Sequence, residues 1–377
     1  MRIVLFCHSL VSDWNNGNAH FQRGIARELQ ARGHSVRVFE PADGWSLTNL
    51  GAMVGRGAAL TGFRRAYPDL ASTFYDPRSF DVDAALDGAD LVIVHEWNEP
   101  TLVTRIAARR RNGGGFRLLF HDTHHRAVTD QAALARSDLS EFDGVLAFGE
   151  ALRATYVARG WGRRAWTWHE AADISVFRPL ERDVEGDLVW IGNWGDEERA
   201  EELRDFLFEP ARTLGLSGAV YGVRYPAAAL ATVANSGLAY RGYLPNYRAP
   251  EIFARHRVTL HVPRRPYAAS LPGIPTIRVF EALACGVPLI SAPWSDAEGL
   301  FTAGADFLVA GDAAEMRRHL AAILADPAMA RETAAHGLAT IHARHSCAHR
   351  INELMTICRA LEAPGLNKES EAICVGA

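Results

Sequence analysis

The stretch Leu271-Pro-Gly-Ile-Pro-Thr-Ile-Arg-Val-Phe-Glu-Ala-Leu-Ala-Cys-Gly-Val-Pro-Leu-Ile-Ser291 carries the strongest local signal in the chain. Its proline- and glycine-rich loop, Pro272 to Pro275, leads into a helix predicted over residues 276–285, and Gly286 ends that helix. A short apolar strand, predicted over 287–291, follows at once. A loop, a helix and a strand in this order are typical of a parallel α/β sheet.

The same stretch is suited to binding an anion beside a hydroxyl-rich group. The first turn of a helix offers free backbone N–H groups and the positive end of the helix dipole. A carboxylate further along, Glu281, is an acceptor for sugar hydroxyls. The alternative is a local Arg278–Glu281 ion pair, which is worth only about 0.2–0.5 kcal/mol. The loop–helix–strand context favours a nucleotide pocket. The residues expected around the phosphate are Gly273, Ile274, Pro275, Thr276 and Ile277.

Bulk composition limits the function classes. The chain has 377 residues, 48% hydrophobic and 22% charged, which predicts two globular domains. A net charge of −4 argues against a nucleic-acid partner. The five scattered cysteines favour reduced thiols, a cytoplasmic location and no zinc site. No apolar run is long enough for a transmembrane segment. The only lysine is Lys368, so a side-chain phosphate ligand in the folded body must be arginine or histidine.

The alternation of strands and helices predicts the fold class, which is α/β with two Rossmann-like parallel-sheet domains facing a central cleft. Residues 41–80 lack clear periodicity and are expected to form short helices and loops. In the second half a helix is expected near 296–302. Asp81-Val-Asp83 matches a D-x-D pattern, but we interpret both residues as acids at a helix N-terminus. The predicted domains are 1–180, 181–345, a helix at 346–364 that packs back on the first domain, and a tail at 365–377.

The chain resembles a known family. The pattern R-x-F-E-A-x-A-C-G at Arg278 to Gly286 is similar to the donor-binding motif of retaining GT-B glycosyltransferases, including glycosyltransferase family 4. The closest resemblance is to the CgeB-like (spore maturation protein) branch. Leu244-Pro-Asn-Tyr247, Glu298-Gly-Leu-Phe301 and His345-Ser-Cys-Ala-His-Arg350 follow in the expected order. The resemblance covers nearly the whole chain and is specific beyond about residue 185.

The resemblance implies transfer of a sugar from a nucleoside diphosphate, with UDP or GDP undecided, to an unidentified acceptor. It implies retention of stereochemistry, no metal and no other cofactor. Ribose would bind Glu281, and the base would lie near Tyr243 and Leu244. Two departures stand out, since Gly273 occupies the place of a family glutamate and the family's phosphate-binding lysine is missing. In place of that lysine, the groups expected to hold the diphosphate are Gly192, Asn193, Arg199, Arg264 and above all Arg278.

The first half supplies the facing residues after its predicted strands. His121-Asp-Thr-His-His125 could be a metal site, but adjacent loop residues point in different directions. The resemblance instead implies that His124 or His125 contacts the donor sugar or orients the acceptor hydroxyl. In His95-Glu-Trp-Asn98, Glu96 could act as a base and Trp97 could stack on a sugar. For His124 and His125, histidines hydrogen-bonded to the backbone are an equal alternative, and for the residues of 95–98 and of the 9–20 loop the alternative is an ordinary polar loop. The residues expected to contact the acceptor are His95, Trp97, Asn16, Gly17 and Asn18, with His20 as a further catalytic candidate.

Two other functions stay open at this stage. A nucleotide-sugar epimerase of the same fold would act on the donor without an acceptor. A decayed homologue would bind a nucleotide without turnover, and the missing glutamate and lysine motivate that alternative. The sequence does not determine the oligomeric state.

Overall fold

The computed structural model describes residues 1–362, and Lys368 and the predicted tail lie outside that range. Thirteen strands in the described range form two all-parallel sheets. The first sheet has the order β3-β2-β1-β4-β5-β6-β7. Its strands are β1 (Arg2–Phe6), β2 (Ser35–Pro41), β3 (Thr73–Tyr75), β4 (Leu91–His95), β5 (Arg117–Asp122), β6 (Gly144–Ala147) and β7 (Ala165–Thr167).

The second sheet has six strands in the order β10-β9-β8-β11-β12-β13. In both sheets the order reverses beside the first strand of the set, β1 or β8, which creates a crevice at the carboxyl ends of the strands. The second set is β8 (Gly186–Ile191), β9 (Gly218–Tyr221), β10 (Ala239–Gly242), β11 (His256–His261), β12 (Leu289–Ser291) and β13 (Leu308–Val309). The fold class predicted from the alternation is confirmed.

Helices connect the strands and cover the sheets. In the first half they are α1 (Asn18–Ala31), α2 (Trp45–Val54), α3 (Arg56–Ala66), α4 (Val82–Leu86), α5 (Pro100–Arg111), α6 (Arg126–Thr129), α7 (Gln131–Leu134) and α8 (Glu150–Arg159). In the second half they are α9 (Ala200–Leu203), α10 (Glu209–Leu214), α11 (Ala227–Asn235), α12 (Ala249–Phe253), α13 (Arg265–Ser270), α14 (Ile277–Ala284), α15 (Ala313–Ala325), α16 (Pro327–Arg344) and α17 (Cys347–Glu362). No helix within residues 1–362 is long and apolar enough to cross a bilayer.

Three local predictions can be compared with the structure. Asp81 caps α4 by accepting the Ala84 N–H at 3.0 Å, so its interpretation as a helix-terminal acid is confirmed. The helix expected near 296–302 is wrong, because Asp296 instead accepts the N–H groups of Leu300 and Phe301 and closes a turn. In the aperiodic region 41–80 the expected helices are present as α2 and α3, but the strand β3 was not predicted.

Helix α17 and the loop before α14 are two of the connections between the halves. Helix α17 returns to the first half, where the Arg32 guanidinium donates to Asn352 and the Trp168 indole N–H donates to the Arg350 carbonyl at 2.8 Å each. In the other direction, Leu271 and Ile274 of the loop before α14 are buried in the hydrophobic core of the first half. The loop with the strongest sequence signal therefore lies between the two halves.

Candidate functional site

A pocket opens where the loops that follow β1, β8, β9 and β10 meet. About 490 Å³ of space within it is free of protein atoms, and part of that space is open to solvent. Seven of the predicted site residues line it: Asn16, Gly17, Gly192, Asn193, Tyr243, Leu244 and Arg278. No individual role was predicted for the other lining residues, which are Asp13, Asn15, Ile191, Tyr221, Gly222 and Asn246.

The loop after β1 is held by a fully buried arginine. The Arg23 guanidinium donates to the carbonyls of Leu10 and Val11 and to the Asp13 carboxylate, at 2.8, 2.9 and 2.8 Å. Asp13 in turn accepts the Tyr243 hydroxyl and, at 3.1 Å, the Asn246 N–H. A single carboxylate thus links the loop of the first half to the pocket wall of the second.

A second link crosses the pocket beside it. The side-chain amide of Asn193 donates to Asn15 Oδ1 at 2.6 Å, and Asn193 Oδ1 accepts the Val223 N–H at 2.9 Å. Asn15 adopts a left-handed backbone conformation (φ 48°), which asparagine tolerates better than most residues. Gly17 approaches α14 so closely that a Cβ there would lie 3.0 Å from Ile277 Cγ2.

Glu281 lies behind the pocket rather than on its surface. Its side chain is fully buried, and one oxygen accepts the Asn246 amide at 2.6 Å. The other oxygen accepts a hydrogen bond from the Arg278 guanidinium. Asn246 and Arg278, the two residues bound to Glu281, both line the pocket. The predicted Arg278–Glu281 pair is therefore present, and it is part of a larger buried network.

His20 was expected to be a catalytic group, but its position does not fit that role. The ring is 1% exposed, and Nε2 accepts the Asp173 N–H at 2.9 Å. The proton of the neutral ring is thereby placed on Nδ1, which lies 3.4 Å from Glu281 Oε1. Burial lowers the pKa of His20, with Glu281 opposing. His20 supports Glu281 from behind and does not reach the cleft.

The N–H groups at the start of α14 were expected to be free for a phosphate. The structure differs, because the Gly273 N–H donates to the Ser295 carbonyl at 2.7 Å and the Ile274 N–H to the Leu271 carbonyl at 3.3 Å. Pro275 has no N–H. Thr276 Oγ1 lies 3.1 Å from His261 Nε2. The Ile277 N–H donates a hydrogen bond to the Glu170 carboxyl group.

Gly273 also has a steric reason to be glycine. Its φ is +88°, and a Cβ there would lie 2.7 Å from Glu298 Cγ. A glutamate at this position, as in the resembling family, would clash with Glu298 and strain the backbone.

Glu170, on the linker between the halves, occupies the space at the α14 tip. Asn18 was expected to contact an acceptor, but its amide donates to Glu170 Oε1 at 3.0 Å and its carbonyl oxygen accepts from Gln22. Burial, with a smaller contribution from Glu281, raises the pKa of Glu170 to about 8. A protonated carboxyl group therefore bridges α1 and α14 at neutral pH.

Three arginines concentrate positive charge beside the pocket. Arg278 is joined by Arg264, which pairs with Glu198 at 3.3 Å, and by Arg199. Burial and the charges of Arg264 and Arg278 lower the pKa of Arg199 to about 10. Arg199 donates to the carbonyls of Asn193 and Val262, so it also fixes the loop after β8. Three guanidinium groups kept near each other in this way are suited to a diphosphate.

The two predicted histidines of the first half face α13 of the second. Their rings lie 4.0 Å apart, and the His125 ring lies 5.1 Å from that of Tyr267. His125 Nδ1 lies 2.7 Å from Thr129 Oγ1, whereas Nε2 is 3.8 Å from Glu198. Burial and the neighbouring cations lower the pKa of His124 to about 2. His124 Nδ1 and His125 Nε2 are buried and have no hydrogen-bond partner within residues 1–362.

The residues after β4 form the adjoining wall. The indole of Trp97 is 42% exposed, and the Arg126 guanidinium lies 3.9 Å from the centre of its ring. Burial and Asp122 raise the pKa of Glu96 to about 8, while Arg126 pairs with its carboxylate. His95 is 2% exposed and lies 2.9 Å from Thr123 Oγ1, so it supports this wall rather than lining it.

No group of three or more His, Cys, Asp or Glu side chains in the described part of the chain has the arrangement of a metal site. This includes the His121–His125 segment, for which the sequence left a metal site open.

Comparisons with known proteins agree with this architecture. Residues 199–356 match the family model described as "Glycosyl transferase-like". A comparison with the curated proteins found no match.

Solved structures show the same fold across almost the whole chain. Sucrose-phosphate synthase from Thermosynechococcus elongatus has a TM-score of 0.64 at 15% identity, covering 97% of this chain and 100% of that one. Anabaena HepE in complex with UDP and glucose has a TM-score of 0.65 at 13% identity, covering 96% and 100%. An alpha-glucosyltransferase in complex with UDP-glucose and DNA has a TM-score of 0.65 at 12% identity, covering 95% and 99%. The chain has the GT-B fold.

Proposed function

We propose that the chain is a glycosyltransferase that moves a sugar from a nucleoside diphosphate to an acceptor hydroxyl. The observation that carries the proposal is the cluster of Arg199, Arg264 and Arg278 beside a pocket at the carboxyl ends of the second sheet. The family match covers Arg199, Arg264 and Arg278. The printed descriptions of similar structures include UDP or UDP-glucose, which makes UDP the first nucleotide to test.

The chemistry required of such a site is mainly electrostatic. The bond between the anomeric carbon and the diphosphate oxygen breaks, and a bond to the acceptor oxygen forms. Guanidinium groups stabilise the negative charge that develops on the leaving diphosphate. We propose retention, with the leaving diphosphate taking the acceptor proton, so that no protein base and no metal is needed. The CgeB-like affiliation is part of the same proposal.

The first half would hold the sugar and the acceptor. The unpartnered nitrogens of His124 and His125 can each hydrogen-bond a hydroxyl, and the exposed indole of Trp97 offers an apolar face for a sugar ring. The neutral imidazoles suit hydroxyl groups rather than phosphates. With a net charge of −4, we expect an acceptor other than nucleic acid, and we expect the protein to act in the cytoplasm.

Nucleoside diphosphate release is the direct assay. The purified chain is incubated with UDP- and GDP-sugars, with and without candidate glycan acceptors, and release of the diphosphate is measured. The Arg264→Ala/Arg278→Ala variant should lose activity, whereas Arg212→Ala, an exposed arginine paired with Glu209, should retain it. Epimerised donor without release would support the epimerase. If the protein neither released the diphosphate nor bound a nucleotide, the proposal would be overturned.

A further inference from the structure

Asn246 lines the pocket, although no role was predicted for this residue from the sequence. It opens the short helical turn Asn246–Arg248 that follows β10, and it lines the pocket together with Leu244 and Arg278. The residue is 8% exposed, so its polar atoms must be satisfied by the protein or by a ligand.

The orientation of its side chain is determined by its partners. A carboxylate oxygen only accepts hydrogen bonds, so the atom 2.6 Å from Glu281 Oε1 is the amide nitrogen. The backbone N–H donates to Asp13 at 3.1 Å, and Asp13 is itself held by Arg23. Both ends of the residue are therefore fixed, and the amide carbonyl Oδ1 points away from Glu281.

That carbonyl oxygen is buried and accepts no hydrogen bond from any residue of the described chain. Glu281 does not face a ligand in the same way, because its side chain is fully buried behind Asn246 and Arg278 and does not line the pocket. Of the Asn246–Glu281 pair, Asn246 is the member that lines the pocket, and its Oδ1 is an acceptor without a partner in the described chain.

We propose that Asn246 Oδ1 accepts a hydrogen bond from a ribose hydroxyl of the bound nucleoside diphosphate. Glu281 is then a positioning residue, which sets the direction of the Asn246 amide and of the Arg278 guanidinium. This inference rests on the proposed function. Ribose rather than the base is assigned because Arg278, held by the same carboxylate, belongs to the diphosphate cluster, and ribose is the part of a nucleotide joined directly to the phosphates.

Calorimetric titration with deoxynucleotides tests the assignment. The parent chain is titrated with UDP and GDP, and then with the 2′-deoxy and 3′-deoxy forms of the one that binds more tightly. At least one deoxy form should bind about 5- to 10-fold more weakly, as expected for one lost hydrogen bond. Asn246→Ala should bind the ribonucleotide more weakly by a similar factor and should no longer distinguish the deoxy form.

The neighbouring Tyr247→Phe variant is the matched control, since Tyr247 lies on the same turn and does not line this pocket. It should discriminate as the parent does. Equal affinity of the parent for the ribonucleotide and both deoxy forms would overturn the inference and leave the proposed function standing. If the parent bound neither UDP nor GDP, the proposed function itself would fail. The titrations of the parent need no substitution, so they can overturn the inference even if Asn246→Ala does not fold.

Discussion

The side-chain amide of Asn246 donates to Glu281 Oε1 at 2.6 Å, and Arg278 occupies the other oxygen of the same carboxylate. Glu281 is therefore the buried centre from which two pocket residues are oriented. The motif that marks this region in the sequence thus acts through Arg278, which it includes, and through Asn246, which it does not.

Glu281→Ala should lower the free energy of unfolding by about 3–5 kcal/mol, because it leaves the Arg278 charge and the Asn246 amide without their shared partner. It should also weaken nucleoside diphosphate binding. Urea denaturation and calorimetry measure the two effects. The double variant Glu281→Leu/Arg278→Leu, which removes the charge as well, should be less destabilised than Glu281→Ala. A single-variant loss within about 1 kcal/mol, the range of a surface pair, would contradict the account.

The loop before α14 should hold the halves together. Leu271 is 1% exposed and belongs to the core of the first half, so Leu271→Ala should cost about 2–5 kcal/mol and let the cleft open. Leu320→Ala, in the core of the second half alone, should cost a similar amount without opening the cleft. Small-angle X-ray scattering measures the radius of gyration and so distinguishes the two variants. An unchanged radius of gyration for Leu271→Ala would count against this role of the loop.

The raised pKa of Glu170 gives a pH-dependent stability. The folded chain keeps this proton up to about pH 8, whereas an unfolded carboxyl group releases it near pH 4.5. Its contribution to stability is therefore complete below the unfolded value and is lost as the pH rises towards 8. The charged or polar groups around it include Asn18, the Ile277 N–H, Glu281, Tyr267 and Arg350, which donates to the Glu170 carbonyl at 3.3 Å.

Glu170→Gln removes this titration. The melting temperature of the variant relative to the parent should therefore be higher at pH 8 than at pH 5. The exposed Glu181→Gln should show no such trend. Glu96 titrates in both parent and variant, so its effect cancels in the difference. A difference in melting temperature that does not change with pH would mean that Glu170 is ionised throughout.

His124 and His125 should affect turnover more than nucleotide affinity. They lie on the first half, while the arginine cluster lies on the second, so His124→Ala and His125→Ala should lower kcat by about 100-fold and leave the Kd for UDP unchanged. The exposed His342→Ala is the control. A rise in the Kd for UDP that accompanies the fall in kcat would instead place the histidines at the nucleotide.

The sequence predicted the fold because strand and helix periodicity is local. The apolar run of β4 and the loop–helix–strand unit around α14 needed no knowledge of their neighbours. The helix expected near 296–302 failed because Asp296 captures two N–H groups of its own turn, a local competition that periodicity does not detect. In the region 41–80, tertiary packing rather than periodicity forms α2, α3 and β3.

The site was predictable only in part, for a physical reason. Residues such as Tyr243 and Arg278 carry the resemblance or lie beside the motif, so their place in the pocket could be expected. Asp13 and Asn246 lie 233 positions apart in the chain, and although Asn246 falls within Leu244-Pro-Asn-Tyr247, no local pattern predicts that the two residues meet across the cleft. His20 has catalytic chemistry, but burial behind Glu281 removes it from the cleft.

The most direct test of the central claim is calorimetric titration of the parent chain with UDP and GDP, beside uridine and guanosine. The arginine cluster predicts one site per chain that binds one of the diphosphates, and binding should be far tighter than that of its nucleoside and weaken as salt is raised. Equal affinity for nucleoside and diphosphate, or no binding of either diphosphate, would contradict the account.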